Sequence, residues 1–192
     1  MKNINKIIVM LTFISVVSCS TGRENDYADF YKATGVDPHL DATVYNINET
    51  EQQFVADIVQ VNLDEIDLGI LAQDNGMSSE IKALGKMMKD EHLRSLKELQ
   101  AIALKKNIPL PASVSGGETG HYQMLSRETG TSFDKDYSNI MVRGHRETIE
   151  KFERESASVT DPDIKNFILS TLPVLKKHLE HSLKCREKFN KS

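Results

Sequence analysis

Cysteine is scarce in this chain: Cys19 and Cys185 are the only two in 192 residues, so no disulfide framework can be built. Glycine-rich phosphate loops are missing, no segment alternates polar and apolar residues for any length, and no internal repeat appears, which leaves helices as the regular structure. The one continuous greasy run, Ile7–Val17, falls well short of the ~20 residues that a membrane span needs. Positive charge is also in deficit: 24 Lys and Arg stand against 28 Asp and Glu, a net charge of −4. That balance argues against nucleic acid as a partner and against an electrostatic hold on anionic lipid. No nucleophile, oxyanion donor or cofactor loop can be pointed to, so no reaction is assignable.

What is present begins with a leader. Met1–Lys6 is short and basic, Ile7–Val17 is apolar, and Val16-Val17-Ser18-Cys19 follows. This order describes a secretory signal over residues 1–18, with Cys19 placed like the acylated cysteine of a bacterial lipobox. Loss of Lys2 and Lys6 with the leader takes the formal charge from −4 to −6. Residues 19–47 are polar, hold Gly22, Gly35, Pro38 and His39, and read as a flexible tether lifting the domain from the lipid. A lipid anchor on Cys19 implies the cell envelope, and Ser20 after it leans toward the outer membrane. Cys185 lies on an apolar stripe and reads as a small buried hydrophobe.

Residues 48–189 carry the 3.6-residue period of four long helices. The first spans about Glu49–Asn75 with Asn48 or Thr50 as its cap, and the second spans Ser79–Asn107 before Ile108-Pro109-Leu110-Pro111. A loop with a short helix near Tyr122–Glu128 leads to the third, from about Phe133 to Ser158. Asp161-Pro162 opens the fourth, which contains Pro173 and should bend there. Four helices with one long link predict an all-α, antiparallel four-helix bundle with one crossing connection.

Each apolar stripe is interrupted once. Glu65 falls among Phe54, Ile58, Val61, Leu68 and Ala72, and His92 among Leu84, Met88, Leu96 and Leu99. His145 sits between Met141 and Phe152, and His178 between Leu175 and Cys185. Counted from their turns at about 1.5 Å per residue, the four lie at heights from roughly 18 to 27 Å, compatible with a single layer. An unpaired carboxylate and three imidazoles in a core would cost several kcal/mol. Two readings satisfy them. One is a transition metal ion (Zn, Fe, Mn or Cu) held by Glu65, His92, His145 and His178. The other is a metal-free, hydrogen-bonded cluster that fixes helix register in a structural or interaction lipoprotein with unknown protein partners. The Glu-x-x-His pairs of carboxylate-bridged di-iron bundles are missing, since Lys89, Val142 and Leu175 stand three before the histidines. Met88 and Met141 lie one turn from two of the imidazoles and read as core filler, while His121 and His181 read as surface residues.

The same residues carry a family resemblance. Glu65 to Ala72, Met88 to His92, Ile108 to Pro111, Phe133-Asp134 with Tyr137, Met141-Val142 with His145, and Leu172-Pro173 with His178-Leu179 occur in an order that resembles a bacterial exported family. It is known as domain of unknown function 4142, often labelled an outer-membrane protein and similar to ferritin-like four-helix proteins. The resemblance implies that fold and no reaction. The family pattern has Asp directly before the second-helix and third-helix histidines; this chain has Glu91 and Gly144 there, so only helix two keeps the acid.

Overall fold

The computed structural model describes residues 47–110 and 120–190. The leader 1–18, Cys19, His39 and the tether as far as residue 46 lie outside the described residues. Among the described residues the elements are α1 Glu49–Asn75, α2 Ser79–Lys106, α3 Gly120–Leu125, α4 Gly130–Ser158 and α5 Pro162–Asn190, with no strand. None of these helices is long and apolar enough to cross a membrane.

Local chemistry sets the boundaries. Asn48 Oδ1 accepts from the Glu51 amide at 2.9 Å, and Ser78 Oγ accepts from the Ile81 amide at 3.2 Å, so both helices start on a side-chain cap. Asn107 ends α2 in the left-handed conformation, φ 53°, just before Pro109. Asp161 Oδ1 accepts from the amides of Asp163 and Ile164 at 3.0 and 3.1 Å, leaving Pro162 in the first turn, where its missing N–H is not needed. Pro173 lies inside α5 at an exposed position, and the helix continues through it.

The start of α4 differs from expectation. It begins at Gly130, whose φ of +67° suits glycine, and not near Phe133. Asp134 is buried and serves a neighbour: its two oxygens accept from the amides of Met77 and Ser78 at 2.8 and 2.9 Å. The α1–α2 turn is thereby pinned to α4. The short helix covers Gly120–Leu125, earlier in the chain than the expected Tyr122–Glu128.

Polar ties show which ends meet. At one end Glu51 Oε1 accepts from the Thr160 amide and hydroxyl at 2.6 and 2.9 Å, and Lys106 pairs with Asp161 and Asp163, each at 2.6 Å. At the other, Asp134 holds the α1–α2 turn and Lys188 pairs with Glu80. α1 packs on α2, α4 on α5, α2 on α5 and α1 on α4, so all neighbours are antiparallel. The parallel helices α2 and α4 are diagonal to one another, and the link between them must travel from one end of the bundle to the other. The fold is therefore an all-α, antiparallel four-helix bundle with one crossing connection, as in ferritin-like proteins.

Gly69 and Gly85 allow α1 and α2 to touch along their backbones. A Cβ on Gly69 would lie 2.6 Å from the Gly85 carbonyl oxygen, and one on Gly85 would lie 2.6 Å from Ala72 Cβ. The core on either side of the bundle's middle is apolar. Phe54, Phe152 and Phe167 meet toward the Thr160 end, with ring centroids 5.2 and 6.0 Å apart. Leu68, Ile81, Leu84, Met88, Tyr137 and Met141 fill the opposite half. A polar layer lies between them.

Candidate metal centre

His92 from α2, His145 from α4 and His178 from α5 fill that layer, with exposures of 4, 1 and 1 %. Their ring centroids are 5.2 to 5.7 Å apart. On each ring one nitrogen is engaged by an outer partner. His145 Nδ1 donates to the Met141 carbonyl oxygen at 2.8 Å, and because a carbonyl only accepts, the proton must be on Nδ1. Asn62 Nδ2 donates to the Ile58 carbonyl at 2.9 Å, which turns Oδ1 toward His92 Nδ1 as acceptor, also at 2.9 Å. Glu91 Oε2 accepts from His178 Nε2 at 3.1 Å.

These assignments leave lone pairs on His92 Nε2, His145 Nε2 and His178 Nδ1. One nitrogen from each ring lies within 4.8 Å of the other two. His92 Nε2 is buried with no hydrogen-bond partner among the described residues. His145 Nε2 and His178 Nδ1 face each other at 3.3 Å, both as acceptors. Two imidazole nitrogens held about 2.0–2.1 Å from one tetrahedral ion would be roughly 3.3 Å apart, so the observed gap has the span of a shared cation. Outer partners that fix tautomer and ring orientation are what metal-binding histidines ordinarily have.

The electrostatics agree with that arrangement. Burial holds His92 well below the usual imidazole range, with the neighbouring His145 and His178 adding to the effect. Burial and His178 bring His145 down to about 4. Burial lowers His178 too, against the opposing pull of Glu91. All three are neutral at pH 7, the form in which imidazole binds a metal.

Glu65, expected in the same layer, is placed differently from the histidines. It is 8 % exposed, and its Oε1 lies 3.9 Å from His145 Nδ1, the nitrogen already committed to Met141. It is not in the three-nitrogen group. Burial, helped by the nearby charge of Asp64, raises its carboxyl to about 8. A neutral acid beside a neutral imidazole at 3.9 Å is not an ion pair. Glu65 Oε2 and the Tyr137 hydroxyl are both buried without a hydrogen-bond partner among the described residues. Oε1 approaches Gly144, where an added Cβ would lie 3.5 Å away, an ordinary van der Waals contact.

Sequence reasoning missed Asn62 altogether and did not identify the Met141 carbonyl. The available signal for Asn62 was an amide one helical turn from Glu65 on a face otherwise apolar. Glu91 was legible only through the family pattern, and it acts on His178 of another helix, not on its own neighbour. With Gly144 in place of the second acid, a backbone carbonyl orients His145. Met88 and Met141 are fully buried in the core. His121 Nε2 bonds Arg143 at 2.7 Å on the surface, and His181 is half-buried outside the layer. Cys185 is half-buried, its thiol raised by burial.

A model of the family described as "Domain of unknown function (DUF4142)" matches residues 38–184. The chain belongs to this family. Its fold is shared with a solved structure titled "CopM in the Cu(I)-bound form", at 14% identity and a TM-score of 0.62, over 72% of this chain and 96% of that one. No curated protein matches. This DUF4142 member is a helical protein with a buried three-histidine cluster that could hold a metal ion.

Proposed function

We propose that this protein is a lipid-anchored protein of the cell envelope whose bundle holds one transition-metal ion, with copper the first choice, on His92, His145 and His178. The observation that carries this reading is the 3.3 Å approach of two imidazole lone pairs, with a third orphaned nitrogen beside them and every other ring nitrogen already satisfied. A cation on the three nitrogens turns mutual repulsion into ligation. Imidazole suits Zn, Cu and Fe alike, so charge separates them. The cost of placing an ion in an apolar interior rises with the square of its charge. The layer offers no ionised carboxylate directly, since Glu65 is raised to about 8 and Glu91 stands behind His178. Cu(I) fits that environment better than a divalent ion, and the fold-sharing copper protein supports the choice. In this reading Cys19 carries the lipid, residues 19–47 form the tether, and Ser20 directs the protein to the outer membrane.

The test is elemental analysis of the full chain purified without a histidine tag and reconstituted with Cu(I) or Zn(II) before gel filtration. One equivalent of copper should co-elute with the wild type and be lost from His145→Ala and His92→Ala. Copper retained by both variants would place the ion elsewhere.

A further inference from the structure

The seam between α2 and α5 is pinned at three heights: Lys105 pairs with Asp163 at 2.9 Å, Glu91 accepts from His178 at 3.1 Å, and Glu80 pairs with Lys188. Glu80 and Lys105 are as far apart on α2 as Lys188 and Asp163 are on α5, so the two antiparallel helices run in step along the seam. Met87 stands seven residues beyond Glu80, and His181 seven before Lys188. Seven residues make two turns, so a thioether and an imidazole are set opposite each other across the seam, one turn from the pair of Glu91 and His178. Cys185 follows His181 by four on the same face of α5, and it packs with Met87 against one core cluster. All three residues are half-buried, and His181 and Cys185 make no hydrogen bond among the described residues. His181 is near enough to the buried layer for its charge to weigh on His178.

We propose that Met87, His181 and Cys185 form a second, solvent-reachable Cu(I) site, which takes up the ion and passes it to the buried histidines. The destination rests on the metal reading above; the seam site itself does not. Thioether and thiolate sulfur select Cu(I) over harder divalent ions, and imidazole is compatible with it. As the S–Cu bond forms, the Cys185 thiol releases its proton to solvent and no electron is transferred. The charges of thiolate and Cu(I) then cancel, which matters at a half-buried position where burial disfavours the bare thiolate. The buried layer has the converse difficulty. Its histidines are only 1 to 4 % exposed, so an ion has little direct approach to them from solvent. Donors one turn away on the seam supply that approach. Because they are half-exposed, they also exchange their ion with solvent, so uptake and retention fall to different residues.

The experiment uses the full chain under argon with Cu(I) supplied as its acetonitrile complex. Copper K-edge absorption reads the donor atoms, and the chelator bicinchoninate, added at intervals, counts the copper not yet protected inside the bundle. With two equivalents of copper the wild type should show sulfur bound to the metal; after gel filtration one equivalent should remain, with nitrogen donors alone. The triple variant Met87→Leu, His181→Gln, Cys185→Ser should lose the sulfur signal and fill the buried site at least tenfold more slowly, while the equivalent retained after gel filtration is unchanged. His92→Ala should keep the sulfur signal and retain nothing. Melting temperatures of the copper-free proteins report folding, and the double variant Met87→Leu, His181→Gln takes the place of the triple one if that fails to fold. A wild type without copper-bound sulfur, or a folded variant that fills at the wild-type rate, overturns this inference alone. Copper-bound sulfur with nothing retained after gel filtration overturns the buried destination and upholds the seam site, whereas no copper binding at all overturns both.

Discussion

Replacing Glu65 with Gln should stabilise the metal-free protein, and by an amount that grows with pH. The side chain is 10 % exposed, Oε2 has no partner among the described residues, and burial raises the carboxyl from 4.5 to about 8. The folded state therefore holds a proton that the unfolded state releases above pH 4.5, so stability falls as pH rises from there and levels off past 8. At 1.36 kcal/mol per unit, the loss at pH 7 is about 3 kcal/mol, and about 5 kcal/mol once the folded form ionises. Glutamine keeps the shape and cannot ionise. Urea unfolding of wild type and Glu65→Gln at pH 5, 7 and 8.5 should show the variant nearly level at pH 5, about 3 kcal/mol ahead at pH 7, and further ahead at pH 8.5. A difference independent of pH would mean that Glu65 is ionised in the fold and paired with something, and the account of it as a buried neutral acid would be wrong.

The histidines give the opposite slope. His145 is lowered from 6.5 to about 4, so its contribution is complete above pH 6.5 and is lost as pH falls toward 4, about 3 kcal/mol for this ring alone; acid unfolding of His145→Gln should be correspondingly flatter than that of the wild type. Nitrogen-15 shifts of the metal-free protein at neutral pH should find protons on Nδ1 of His92 and His145 and on Nε2 of His178, and any other pattern refutes the tautomers assigned from their partners. Gly85→Ala should cost about 1–3 kcal/mol in chemical unfolding despite alanine's better helix propensity, because its Cβ would meet Ala72 Cβ at 2.6 Å and the Gly69 carbonyl at 2.8 Å; an unchanged midpoint would show that the two helices can separate freely.

The architecture was legible because apolar period and capping residues repeat the same message in each helix. Asn48, Ser78 and Asp161 cap where their side chains say they should. Where the sequence misled, the residue served a partner far along the chain. Asp134 looks like the first turn of its own helix and instead holds the amides of Met77 and Ser78, more than fifty residues earlier. The polar layer was readable for the same reason as the helices: a histidine in a leucine position stands out. Its chemistry was not, because which ring nitrogen is free depends on Asn62, Glu91 and the Met141 carbonyl. Two of those three come from a helix other than the one carrying the histidine they hold. Height along a helix put Glu65 level with the rings but could not say which edge of His145 it would meet.

The metal-free alternative has to account for the same atoms. A proton between His145 and His178 would relieve the facing lone pairs, yet burial drives His145 to about 4, so the proton is absent at neutral pH. Reversing the His145 tautomer would let Nε2 donate to His178, at the expense of pointing a lone pair of Nδ1 at the Met141 carbonyl 2.8 Å away. Reversing His178 would aim a lone pair of Nε2 at Glu91 Oε2, 3.1 Å away, unless Glu91 itself carried the proton. Neither exchange supplies a partner for His92 Nε2, which is buried with no hydrogen-bond partner among the described residues. An unsatisfied buried acceptor costs about 1–3 kcal/mol, and a cluster kept only to set helix register could avoid that cost with leucine at position 92. A cation on the three free nitrogens resolves the facing pair and the orphan together, and leaves all three outer hydrogen bonds as they are.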